Sequence, residues 1–147
     1  ADGSINEVEM TTQGVSAPLM ANTELDAARA CLLYGNVRVN AFTKDNEVLT
    51  GIKNGDAAAY KYLDFSANVD SFNVKVAPGK KGVSIEVALN NSWGAPIGKV
   101  NIPGGGDGTK VQTFGCKINK VKGIHAVWLR FYGECDELIK VDSFSFK

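Results

Sequence analysis

Apolar and polar residues alternate along this chain with a period of two. Phe72, Val74 and Val76 alternate with Asn73 and Lys75, Ile85, Val87 and Leu89 with Glu86, Ala88 and Asn90, and Val127, Leu129 and Phe131 with Trp128 and Arg130. An extended strand points successive side chains to opposite faces, so this period predicts half-buried strands. Turn formers separate the runs at Pro78-Gly79, Asn90-Asn91, Pro103 to Gly106 and Asp107-Gly108. Residues 30–42, ACLLYGNVRVNAF, predict a hairpin turning at Gly35-Asn36. Residues 22–33, NTELDAARACLL, admit a short helix capped by Asn22 or Thr23, although their second half reads better as strand. Many short strands with little helix predict an all-β sandwich of two antiparallel sheets. A parallel α/β fold is disfavoured, because no helix-length periodic segment lies between the strands. Trp128, Tyr60 and Phe131 sit inside strand patterns and are expected in the core.

The 147 residues suffice for one domain, taken as 1–147, and no internal repeat or low-complexity linker divides them. With 44% hydrophobic residues, disorder is excluded. Sixteen basic residues balance sixteen acidic ones, which leaves no basic stripe for nucleic acid and no polybasic run for an anionic membrane. Apolar runs fall far short of the roughly 20 residues of a membrane-spanning helix. The first ten residues, ADGSINEVEM, lack a positive segment followed by an apolar one and are not expected to be a signal peptide; a secreted parent would have lost it, or the chain is a piece of a larger one. The cysteines are Cys31, Cys116 and Cys135, an odd number without CxxC spacing. Cys116 to Cys135 is the simplest bridge, and buried free thiols are the favoured reading.

Catalytic chemistry finds little support. His125, the one histidine, lies in a strand pattern between Ile124 and Ala126, without the partner and nucleophile that catalysis needs. GGGDGTK, residues 104–110, lacks the Gly-Lys-Ser/Thr order of a phosphate loop and reads as a hairpin loop. No calcium loop of the Asp-x-Asp-x-Asp-Gly kind occurs. Glu7 and Glu9 share one face of a strand, about 7 Å apart. That separation falls within the roughly 5 to 9.5 Å between the carboxyl groups of glycosidases. No cleft-lining aromatics accompany them, so a solvated strand face is the commoner meaning and a metal site the third option.

Residues 51–65, GIKNGDAAAYKYLDF, and the strands and glycine turns of residues 85–147 resemble the family 6 carbohydrate-binding modules, the non-catalytic sugar-binding domains of secreted polysaccharide hydrolases. The shared features are Glu7-Val8-Glu9, the Asn54-Gly55-Asp56 turn, and Asp142 two residues before Phe144. The resemblance implies a jelly-roll β-sandwich in which Glu7, Glu9 and Asp142 bind a structural Ca²⁺ that ties the first strand to the last. Calcium takes six to eight oxygens, and carbonyls within residues 44–47 would help complete its shell.

In the family, the sugar lies between two aromatic rings at the loop end of the sandwich, with an asparagine beside them. The matching positions here are Gly51, Val111 and Lys140. The concave-face site of the family uses a Trp where this chain has Ala57. Three readings follow. The site has moved to other aromatics, Trp93 in the turn NNSWGAP first and Tyr34 beside Gly35 second, with Lys110 and Lys140 adding hydrogen bonds or favouring an acidic sugar. Alternatively, the module is sugar-silent and supports a neighbouring hydrolase domain; AAAYKYLDF and ARACLL are similar to accessory domains of family 43 arabinofuranosidases and xylosidases. A free-standing enzyme is the least supported. The resemblance therefore implies a monomeric, extracellular, non-catalytic module whose partners are a polysaccharide, xylan or arabinoxylan first, and an appended catalytic domain.

Overall fold

In the computed structural model, which describes residues 19–30, 32–43, 46–90, 95–133 and 139–147, the alternating runs are strands. In chain order they are β1 (Leu19–Met20), β2 (Leu25–Asp26), β3 (Leu32–Tyr34), β4 (Arg38–Thr43), β5 (Asn46–Thr50), β6 (Ala57–Asp64), β7 (Ser71–Ala77), β8 (Val83–Leu89), β9 (Gly98–Ile102), β10 (Gln112–Lys117), β11 (Ile124–Gly133) and β12 (Lys140–Phe146). The first sheet runs β1-β6-β11-β8-β9, with β3 also on β6; the second runs β10-β7-β12-β5-β4, with β2 on β12. Pairing is antiparallel except where β1 lies parallel to β6. This is the expected jelly-roll β-sandwich.

The inward faces carry the apolar set. Ile85 and Val87 of β8, Val127, Leu129 and Phe131 of β11, and Phe72, Val74 and Val76 of β7 are all buried in one cluster. Phe144 and Phe146 of β12 join it with Phe65, Phe72 and Tyr60 as a chain of edge-on and tilted rings, from Tyr60–Phe144 at 4.8 Å to Phe65–Phe146 at 5.0 Å. Such geometry sets ring edges against ring faces, which suits the aromatic quadrupole. The Tyr60 hydroxyl is buried and donates to the Ala27 carbonyl at 2.8 Å, so burial leaves it satisfied. Tyr60 and Phe131 are core, as expected. Trp128 is not: its neighbours Val127 and Leu129 face inward, and strand parity turns the indole out to a half-buried position.

Two turns differ from the hairpins that the sequence predicts. The chain does turn at Gly35-Asn36, but β3 pairs with β6 in the first sheet and β4 with β5 in the second. Asp56 makes this corner. Its buried carboxylate accepts the Asn36 and Lys53 amide hydrogens, both at 2.9 Å, and ties two turns together. Gly35, at φ +93°, lies against that carboxylate where a Cβ has no room. The glycine-rich stretch between β9 and β10 likewise crosses between sheets. It is held along residues 78–80, with the Gly105 amide on the Lys80 carbonyl and the Gly108 amide on the Pro78 carbonyl, each at 2.9 Å. In residues 22–33 the first half holds β2, a 3-10 turn, Ala27–Arg29, runs into the second half, and strand resumes only at Leu32, so the strand reading of the second half holds for its end alone and the helical element is this single turn.

Cys116 is a free, half-buried thiol, and burial raises its pKa, so it forms no bridge with Cys135. Cys31 and Cys135 themselves lie outside the described residues. His125 is bound on both nitrogens. Its Nε2 lies 2.7 Å from the Lys122 carbonyl and must donate there, so Nδ1 accepts from the Asn90 side-chain amide at 3.0 Å. The imidazole therefore links β11 to the end of β8 and is structural, as expected. Among the described residues no helix is long and apolar enough to cross a membrane.

Candidate functional site

The outward face of the first sheet concentrates the exposed rings. Cross-strand register builds it in rows. One row runs Leu32, Ala59, Trp128 and Ala88 across β3, β6, β11 and β8. The next runs Tyr34, Ala57, Arg130, Glu86 and Lys99 and reaches β9. A third holds Tyr132, Ser84 and Asn101. At a strand spacing of about 4.8 Å, the five-strand row spans about 19 Å.

The chemistry of this face follows from side-chain sizes. Trp128 stands between Ala59 and Ala88, both fully buried, and neither carries a side chain long enough to stack on the indole. In the next row, Arg130 donates to the Glu86 carboxylate at 2.7 Å; the pair is largely shielded, with side-chain exposures of 8% and 21%. Tyr34 is 65% exposed at the sheet edge, beside the buried Ala57. Flat apolar rings beside a fixed polar pair suit a pyranose, whose C–H face stacks on a ring while its hydroxyls take hydrogen bonds. Sequence reading missed Trp128 by assigning it to the core. The signal was present: an inward Val127 and Leu129 require an outward residue 128.

The loop end of the second sheet is built differently. Its register gives Arg38 opposite Thr50 and Lys140 opposite Ala77, with Val111 just before β10. Gly51 has φ +69°, and an added Cβ would fall on the Arg38 guanidinium. A side chain on residue 51 would be strained at this φ, and a guanidinium lies over the glycine instead. Lys140 donates from Nζ to the Gly108 carbonyl at 3.0 Å, and Lys110 is exposed. Among the described residues, therefore, Tyr34 belongs to the first sheet's face and Lys110 and Lys140 to the loop end, so the structure does not bring these candidates into one site. Trp93 lies outside the described residues.

A third groove, of about 360 Å³, crosses the outer face of the second sheet beside Asn73, Thr113 and Ser145. Glu24 lies in it, paired with Lys75 at 2.8 Å and accepting from the Ser143 hydroxyl at 2.7 Å. Those two hydrogen bonds, Lys75 first, hold the Glu24 carboxyl below its usual pKa. Most residues lining the groove are polar or charged, and the one ring along it, Phe144, is buried in the core, so it offers a sugar no stacking ring. For the metal, Asp142 is half-buried on β12 and lowers the potential around Lys75. Glu7 and Glu9 lie outside the described residues, as do residues 44 and 45.

A family model described as "Carbohydrate binding module (family 6)" matches residues 32–147. The chain belongs to this family. The module is 30% identical over 140 residues to the arabinoxylan arabinofuranohydrolase of Bacillus subtilis (strain 168), covering 90% of this chain and 27% of that protein. It is 28% identical over 95 residues to endo-1,4-beta-xylanase A of Thermoclostridium stercorarium, covering 65% of this chain and 18% of that enzyme. It spans about a quarter of the length of the first and less than a fifth of the second. Among solved structures, a family 6 module from Clostridium cellulolyticum in complex with xylose superposes with a TM-score of 0.81 at 27% identity, over 87% of this chain and 98% of that one. The Bacillus subtilis family 43 arabinoxylan arabinofuranohydrolase in complex with cellotetraose gives 0.80 at 29% identity, over 100% of this chain and 32% of that one. The carbohydrate-binding, non-catalytic class read from residues 51–65 and 85–147 is thus the class of this chain.

Proposed function

We propose that this module attaches an appended glycoside hydrolase to plant cell-wall polysaccharide, with xylan or arabinoxylan the leading ligand, outside the cell. The observation that carries the site is Trp128 standing between two alanines on the outward face of the first sheet, one row from the Arg130–Glu86 pair and Tyr34. In this reading the sugar stacks on Trp128 and Tyr34, and the ion pair fixes its hydroxyls. Trp93 remains a second stacking candidate, and Lys110 and Lys140 act at the loop end. The xylan-acting relatives favour a β-1,4-linked xylose backbone as ligand. Calorimetric titration against a panel of xylo-oligosaccharides, arabinoxylan and laminarin tests the reading. Saturable binding to the xylose polymers is expected. Silence across the panel would leave the supporting role beside a hydrolase domain.

The structural Ca²⁺ is part of the same proposal. In this reading Asp142, half-buried on β12, shares the ion with Glu7 and Glu9. Their three carboxylates are the hard oxygen donors that calcium prefers. An ion bound only to the folded state stabilises it by mass action, about 2.7 kcal/mol at a hundredfold excess over Kd. A chelator is therefore expected to lower the melting temperature by roughly 5–10 °C, with recovery on adding calcium. An unchanged melting curve, in protein shown to be metal-loaded beforehand, removes the ion from a structural role.

A further inference from the structure

Two exposed rings stand at the ends of their strands, where backbone frays most readily. Tyr34 is the last residue of the short edge strand β3, and Tyr132 is the last but one of β11. They are 65% and 36% exposed. Both face outward, because Leu33 packs on the core and Phe131 lies inside it. Tyr34 heads the row of Ala57, Arg130 and Glu86, and Tyr132 follows Arg130 two residues along β11. Two strands across and two residues along, their backbones lie about 12 Å apart.

One turn holds both. Asn54-Gly55-Asp56 leads into β6, the strand between β3 and β11. On one side, the buried Asp56 carboxylate accepts the Asn36 amide at 2.9 Å, with the same oxygen that takes the Lys53 amide. Its other oxygen lies where a Cβ on Gly35 would go, so the turn directly after Tyr34 is seated on this carboxylate. On the other side, the Asn54 side-chain oxygen accepts the amide of Gly133, the residue after Tyr132, at 2.9 Å. Backbone bonds complete the join, with the Gly55 amide on the Phe131 carbonyl at 2.7 Å and the Phe131 amide on the Asp56 carbonyl at 2.9 Å. Tyr34 is thus anchored two residues on, and Tyr132 one residue on, by side chains of a single turn. A ring whose backbone is fixed beforehand loses less freedom when a ligand stacks on it.

We infer that Asn54 and Asp56 are positioning residues of the sugar-binding face, holding Tyr34 and Tyr132 at a set spacing, and that Tyr132 is a further ring of that face. The inference rests on the sheet-face reading of polysaccharide binding and adds to it the device that pre-sets its outer rings.

Double-mutant cycles, read by calorimetry with a xylo-oligosaccharide, test this. Asp56→Ala is expected to weaken binding about three- to tenfold. Once Tyr34→Ala has removed the ring, the same change is expected to alter affinity less than about twofold. Asp56→Asn keeps an oxygen acceptor and restores the parent affinity. Asn54→Ala gives a smaller loss, about two- to threefold, which likewise vanishes in Tyr132→Ala. Titration far below each variant's melting temperature separates this role from stability, because a purely structural residue moves the melting curve and leaves the dissociation constant of the folded protein alone. Losses of equal size with and without the tyrosine overturn the positioning role, as does parent-like affinity in Asp56→Ala. Should Asp56→Ala not fold, the Asn54 cycle decides by the same criterion. If Tyr34→Ala and Tyr132→Ala bind as the parent does while Trp128→Ala does not, the inference fails and the sheet-face reading stands. Failure of the parent to bind any xylo-oligosaccharide overturns both.

Discussion

Replacing Trp128 with alanine lowers affinity for xylo-oligosaccharides about thirtyfold or more, roughly 2 kcal/mol, because stacking aromatics are the residues that dominate a binding face. The indole lies on the outward side of β11, where Ala59 and Ala88 give a sugar no alternative ring. The fold should persist, since the inward neighbours Val127 and Leu129 keep their packing. Circular dichroism and melting of the variant check this point, and calorimetry or affinity electrophoresis measures the loss. Trp93→Ala, made alongside, separates the two indoles. If Trp128→Ala binds as the parent does while Trp93→Ala does not, the sheet face is not the site. A loss on Trp128→Ala accompanied by weaker binding in Tyr34→Ala would extend the surface across β6 to the sheet edge.

Phe144→Ala acts on the fold instead. Phe144 is fully buried on β12, with its ring 4.8 Å from Tyr60, 6.0 Å from Phe72 and 6.1 Å from Phe146. Its removal opens a cavity between the two sheets, and a phenylalanine-to-alanine change in a core costs about 3–5 kcal/mol. Folded domains have only about 5–15 kcal/mol in hand. The melting temperature is therefore expected to fall by about 10 °C or more. Chemical denaturation should show a lower midpoint with an unchanged slope, the signature of lost stability rather than altered compactness. A loss under about 1 kcal/mol would mean that Phe72 and Phe146 close over the gap, and that the ring chain is not the keystone of the sandwich.

Much of this was legible in the residues. The period-two runs at 72–76, 85–89 and 127–131 are the strands β7, β8 and β11, and their apolar members form the core. Parity is a local property, so a single chain reports it directly. The Asn54-Gly55-Asp56 turn, Asp142 before Phe144 and the glycine-rich stretch pointed to the family, and residues 32–147 match it. The same parity identified Trp128 as the odd member of its strand, yet its bulk and strand setting suggested core. Hydrophobicity alone does not state which side of a sheet is dry.

What the chain determined alone is the set of strands and the face that each buries, because both follow from the alternation of neighbouring residues. What only the tertiary structure decided is pairing. Gly35-Asn36 reads as a hairpin, but Asp56, twenty residues on, takes the Asn36 amide and turns the segment into a corner between sheets. Trp128 has no ring beside it because Ala59 and Ala88 arrive from two other strands, and Gly51 is roofed by an arginine from β4. Those contacts join residues far apart in sequence, and a local pattern carries no information about which distant strand it will meet.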